Sequence, residues 1–195
     1  MRILAAACLM LPLSAAAVDG GWSEKVAVAR SPEQTAASWP DEARMLARDM
    51  TARYGRPDEA SPDAFVWYNN GPWKKTIVHR QAWPHYAYQR DKDYLENVIG
   101  HAVPEDRVAD LSRFDRRLDF DPVTAELSAR SESESANYLL LNLADEVIRG
   151  KKDPAEAREF RDRMLRLSAA GKSSAYLTGF LFDVHNDLSP YPRRR

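Results

Sequence analysis

Four histidines, His79, His85, His101 and His185, are the side chains best suited to acid–base or metal chemistry. His79 and His85 stand close together, with Asp91 and Asp93 a little beyond. Imidazole and carboxylate together could hold a zinc ion with one position open to water. The spacing argues against it: His-x5-His across a strand-to-loop junction is not a metal-ligating pattern, and His-Glu-x-x-His is absent. No metal and no other cofactor is therefore expected. A serine nucleophile fares no better. Gly-x-Ser-x-Gly is missing, and Ser128 and Ser131 stand near Glu126 with no neighbouring histidine. Among 29 acidic residues the sequence cannot single out the carboxylate pair of a glycosidase. No Gly-rich run precedes a helix, so a phosphate loop is not expected either. No residue is assigned a catalytic role.

Aromatic density is the sharper signal. Phe65, Trp67, Tyr68, Trp73, Trp83, Tyr86, Tyr88 and Tyr94 place eight of the nineteen aromatic residues within thirty positions. Neighbours such as Trp67 and Tyr68 face opposite sides of a strand, so one core cannot take them all. Aromatic faces with polar rims suit glycan, peptide or lipid contacts. Trp67, Asn70, Trp73, Trp83, His85 and Tyr86 form the candidate binding surface. The competing explanation is that the hairpin simply anchors a sheet to its helices. A second candidate is the polar row Glu126, Ser128 and Arg130, which alternates with Ala125, Leu127 and Ala129. If helices cover only one sheet face, this row is solvated. If another element covers it, the row becomes a paired charge network or a binding floor.

The elements that must position these residues follow from periodicity and punctuation. Ser38-Trp39-Pro40-Asp41 opens a helix with Ala43, Leu46, Met50 and Tyr54 on one stripe, closed by Gly55 and Pro57. Residues 63–80 read as a hairpin turning at Asn69-Asn70-Gly71-Pro72, with Gly71 at positive φ. Tyr94 to Val103 fits a third strand, with a short helix as the alternative, and a short helix follows Pro104. Residues 117–131 read as a second hairpin turning at Asp121-Pro122. Ser131 and Glu134 have capping-box spacing before a helix carrying Leu139, Leu143 and Val147. Asp153-Pro154-Ala155-Glu156 starts another helix, and residues 174–186 fit a short amphipathic one. Two hairpins with segregated helices imply an α+β fold: an antiparallel sheet of about five strands with helices packed on one face.

The first seventeen residues carry a positive Arg2, an apolar run from Ile3 to Leu13 and small residues at Ala15-Ala16-Ala17, the pattern of a secretory signal peptide. Export to the periplasm or medium is expected, with cleavage near Val18. Ala5-Ala6-Ala7-Cys8 fits a lipoprotein signal poorly, because too short an apolar run precedes Cys8. Cleavage would leave about 178 residues, the size of one domain, and no cysteine. Residues 18–37 are expected to be a flexible linker, 38–186 one domain and 187–195 a loose tail. Hydrophobic content of 44% allows an ordinary core without staples, and a net charge of −1 offers no footprint for nucleic acid. No membrane span is expected after the signal.

Several strings resemble an uncharacterised family of exported bacterial proteins. They are Tyr54-Gly55-Arg56-Pro57-Asp58-Glu59-Ala60, Asn69-Asn70-Gly71-Pro72-Trp73-Lys74-Lys75-Thr76, Pro84-His85, Leu95-Glu96, Glu126-Leu127-Ser128-Ala129-Arg130 and Leu141-Asn142-Leu143-Ala144. The Gly-Pro-Trp-Lys and Glu-Leu-Ser-Ala-Arg strings are the more specific. Where similar sequences have a second His and a Cys, this chain has Asp91 and Ser131, which weakens any metal or redox site built there. The resemblance implies export and one domain, and brings no activity. The expected function is a non-catalytic binding or interaction module of the cell envelope, its ligand or partner unidentified. The alternative is a hydrolase of envelope glycan or peptide working through His79 or His85 and a carboxylate.

Overall fold

The computed structural model describes residues 31–82 and 92–186. The expected signal peptide, the tail, and Trp83, His85 and Tyr86 lie outside the described residues. Six antiparallel strands form one open sheet in the order β1-β2-β3-β4-β6-β5. They are β1 (Glu59–Ala60), β2 (Ala64–Tyr68), β3 (Lys75–His79), β4 (Leu95–Gly100), β5 (Leu118–Asp121) and β6 (Glu126–Ser131). The fold is α+β, with one short edge strand, β1, beyond the five expected. The hairpins β2–β3 and β5–β6 are joined through β4, which pairs with β3 on one side and β6 on the other.

The helices are α1 (Pro32–Ala36), α2 (Asp41–Tyr54), α3 (Glu105–Phe114), α4 (Glu134–Ile148) and α5 (Pro154–Ala169). Alternation decides what they cover. Phe65, Trp67, Val78, Leu95, Ile99, Leu127 and Ala129 share one sheet face by register and are all buried. Leu139, Leu140, Leu143 and Val147 of α4 join Ile99, Leu127 and Ala129 in the larger core. A second cluster gathers Ala36, Trp39, Ala43, Ala47 and Met50 over Phe65, Trp67 and Val78. Between the two clusters the covered face is polar, at Thr76 and Asn97.

Several local readings are corrected. The expected linker is helical from Pro32, because Ser31 and Gln34 make a reciprocal capping box and Ala36 is buried. Pro40 holds the N-cap position of helix α2 and supplies no side-chain cap, so Ser38 is not its cap. The cap of α4 is Ser133, whose hydroxyl accepts from the Ala136 amide at 3.2 Å; Glu134 is used elsewhere. Asp153 and Glu156 do form the capping box expected for α5. The expected helix over 174–186 is a single 3₁₀ turn, Ala175–Leu177, followed by an irregular strap. Asn142 is the reason: its Nδ2 donates to Tyr176 and Gly179 carbonyls at 3.2 and 2.8 Å, and its Oδ1 accepts from the Leu181 amide at 2.8 Å. Those bonds take backbone groups that a helix would need.

Two glycines fit their sites for definite reasons. Gly71 sits at φ 60 in the β2–β3 loop, where a side chain is strained. Gly100 lies under the strap: a Cβ there would meet the His185 carbonyl oxygen at 2.0 Å. Asn186 then ties the strap down, accepting from the Gly100 amide at 2.9 Å and donating to the Pro72 carbonyl at 2.8 Å.

Candidate functional site

The sheet has two polar centres, one on each face. The covered one is built from neutral groups and one carboxylate. Asn70 and Asn97 both donate to Thr76 Oγ1, at 2.8 and 2.9 Å, and Asn137 donates to Asn97 Oδ1 at 2.7 Å. Asn70 Oδ1 and Asn137 Oδ1 have no hydrogen-bond partner among the described residues. Beside this chain, Glu134 Oε1 accepts from Trp73 Nε1 and from the Tyr54 hydroxyl, each at 2.6 Å, while Arg53 pairs with Oε2. The Trp73 ring is closed in by Tyr138 and Phe180, with centroids 4.5 and 5.1 Å away. Burial first, then the bond to Glu134, pushes the Tyr54 hydroxyl well above its ordinary range. The carboxylate is engaged on both oxygens and only 7% exposed. This centre holds α2, α4 and the β2–β3 loop together rather than presenting a reactive group.

The candidate binding surface read from sequence does not survive at its three described members. Trp67, Asn70 and Trp73 are all buried. Each indole N–H has an internal acceptor, Gly55 O at 2.8 Å for Trp67 and Glu134 for Trp73, so both rings can leave water entirely. Their aromatic area is packing.

The open face carries the chemistry instead. Lys75, His79, Glu96, Ser128 and Arg130 project there, opposite the helices, by strand alternation and register. A pocket of about 230 Å³ is lined by Glu96, Ser128, Arg130, Arg116, Arg117, Leu118 and Asp119. β4 and β6 supply its floor, and the junction between α3 and β5 its wall. His79 Nε2 lies 2.7 Å from Glu96 Oε2, and Arg130 reaches the same oxygen at 3.1 Å. Arg130 also contacts His79 Nε2 closely. One ring nitrogen cannot give a proton to Glu96 and accept one from Arg130 together, so His79 serves one partner at a time.

Burial raises the Glu96 carboxyl. The hydrogen bond from His79, the Arg130 charge and the Ser128 hydroxyl outweigh it, and the net value lies below the ordinary one. Arg130 is also held below its ordinary value, since burial outweighs its pull from Glu96. The two ends of the pair thus differ. The carboxyl is the end that matters for acid dependence, because a guanidinium stays charged throughout. Glu126 is bound by Lys74 and Lys75 at 3.0 and 2.5 Å. Arg117 forks onto Asp115 at 3.0 and 2.8 Å, and Arg161 shares that carboxylate at 2.6 Å. The row Glu126, Ser128 and Arg130 contains paired charges and lines the pocket floor, with no helix over this face among the described residues. Its partners come from other strands, and only the register places them opposite.

A second His–carboxylate pair, His101 Nε2 to Asp145 Oδ1 at 3.0 Å, shares its oxygen with Arg149 Nε. Neither His101 nor Asp145 lines the pocket. A larger hollow of about 300 Å³ between α1 and α2 is lined by Pro32, Ala36, Ala47, Ala52 and Phe65 together with Glu33, Arg44, Arg48 and Thr51, and no histidine is among them. Of the histidine–aspartate set considered for a metal, His85 and Asp91 lie outside the described residues, and His79 is committed to Glu96 and Arg130. No group of three or more His, Cys, Asp or Glu is placed to hold a metal among the described residues. No described helix is long and apolar enough to cross a membrane.

Comparison of the chain with protein-family models, with curated proteins and with solved structures finds no match in any of the three.

Proposed function

We propose that the protein is an exported, non-catalytic binding module of the cell envelope, and that its ligand occupies the pocket on the open sheet face. The observation that carries this reading is the state of Glu96. It is the carboxylate that meets a histidine in the pocket, yet His79, Arg130 and Ser128 all bond to it and its carboxyl is shifted down. A general acid or base works best with a value near the operating pH and a free side toward substrate. Glu96 has neither. What it does well is hold Arg130 and Ser128 still, which is what a binding floor needs. Export rests on the signal-like N-terminus of the sequence, and the resemblance to exported proteins points the same way.

One observation favours the hydrolase reading. His79 and a carboxylate are within hydrogen-bond reach, and that carboxylate lines a pocket. Titrating the ¹⁵N-labelled protein with fractionated envelope extract separates the two. The binding reading expects saturable shifts at the Leu118, Ser128 and Arg130 amides with no turnover of envelope glycan or peptide. Turnover that is lost in His79→Ala would overturn it in favour of the hydrolase.

A further inference from the structure

We infer that the open-face pocket takes a compact zwitterion of amino-acid size, an ammonium and a carboxylate on one small framework; this rests on the binding reading above. The pairing pattern in the pocket carries the inference. Its buried charges are matched internally: Arg130 with Glu96, and Arg117 with Asp115. Two charged residues of the wall remain exposed and have no ion pair among the described residues, the cation Arg116 and the anion Asp119. They lie three positions apart at the α3–β5 junction, on either side of Arg117 and Leu118. Asp119 is turned into place by its own neighbour, since its Oδ1 accepts from the Phe120 amide at 2.9 Å, and its charge is felt by Arg130.

The ligand class follows from what would be left unpaired. A simple anion on Arg116 would share the pocket with the Asp119 carboxylate, whose charge Arg130 offsets only in part. A simple cation on Asp119 would sit against Arg116. Like charges held side by side oppose binding, whereas a zwitterion satisfies both at once. Arg116 suits the carboxylate end because a guanidinium presents a planar pair of donors to two oxygens. A hollow of about 230 Å³ is below the usual range for larger organic ligands and fits a molecule of a few heavy atoms.

The test uses three probes of matched size: L-alanine, acetate and ethylammonium. Each is titrated into the ¹⁵N-labelled protein, into Arg116→Gln and into Asp119→Asn. Both substituted residues are exposed, so the fold should be retained. L-alanine is expected to shift the Leu118, Ser128 and Arg130 amides saturably, with acetate and ethylammonium at least about tenfold weaker. Each variant should weaken L-alanine about tenfold or more. Acetate binding as tightly as L-alanine, or L-alanine binding unaffected by either substitution, would overturn the zwitterion assignment while leaving a binding pocket in place. So would envelope extract that shifts these amides when L-alanine does not. If neither L-alanine nor extract shifts them, the binding reading falls with it.

Discussion

On the covered face of the sheet, Thr76 and Asn97 are uncharged and bond to amides above and beside them. One residue along the same strands, on the open face, Lys75, His79, Glu96, Glu126 and Arg130 are ionisable and paired. The two faces differ in what a lost partner would cost. Under the helices an unmatched neutral amide, such as the Asn70 and Asn137 oxygens, costs far less than an unmatched charge, so neutral amides are the cheaper choice. On the other face Glu96, Glu126 and Arg130 are also largely buried, and each is met by an opposite charge, so the charges there are kept as pairs. The contrast also fixes register. A slip of one residue would turn Lys75 and Glu96 under the helices and Thr76 and Asn97 outward.

If that contrast is right, damage to the covered face should dominate stability. Leu143→Ala in α4 is expected to cost about 2–5 kcal/mol in denaturant melts, because Leu143 is wholly buried in the larger core. A loss under about 0.5 kcal/mol would mean that the α4 stripe is not core. Glu134→Ala should cost about 1–3 kcal/mol by leaving the Trp73 and Tyr54 donors without their acceptor. The change should also appear in the near-ultraviolet signal of Trp73. Gly100→Ala is expected to cost about 1–3 kcal/mol, as overpacking does, since the strap must move off the new methyl group. Hydrogen exchange at the Leu181 amide, now held by Asn142, would report that movement.

The open face should answer to pH and to ligand more than to denaturant. Glu96 and Asp115 are both held below their ordinary values: burial raises each carboxyl, and hydrogen bonds and neighbouring cations more than reverse it. A depressed folded value means a stabilising contribution that is fully present above the unfolded value. It drains away as pH falls through the lowered folded one. Melts between about pH 6 and pH 3 should show this acid limb, and Glu96→Gln should flatten part of it. An unchanged limb would show that the Glu96 pairing carries no linkage. Smallest of all, Arg116→Gln should change stability by no more than about 0.5 kcal/mol while still weakening zwitterion binding.

Much of the framework was legible because its signals are local. The capping box at Asp153 and Glu156, the positive φ of Gly71 and the alternation through β6 depend on neighbours within a few residues. What was not legible depends on partners far along the chain. Ser131 and Glu134 have the right spacing for a cap, yet Glu134 is drawn to Trp73 and Tyr54, 61 and 80 positions away. Aromatic density around Trp67 and Trp73 looked like surplus area. Each indole has an internal acceptor, which sequence spacing cannot reveal. The polar row of β6 was visible, whereas its pairing with His79 and Glu96 needed the register of three strands.

The strap has a consequence for the order of assembly. Asn186 fastens to Pro72 across 114 positions and to Gly100 across 86. Closing so long a loop takes its toll in chain entropy before any single contact compensates. The β2–β3 turn and β4, which carry Pro72 and Gly100, are expected to form before this clasp shuts. The β2–β3 turn emerges early from the ribosome, yet its Pro72 carbonyl waits for more than a hundred further residues before its partner arrives. A chain with such distant closures is expected to fold slowly for its size, its last step the seating of residues 180–186 over Gly100.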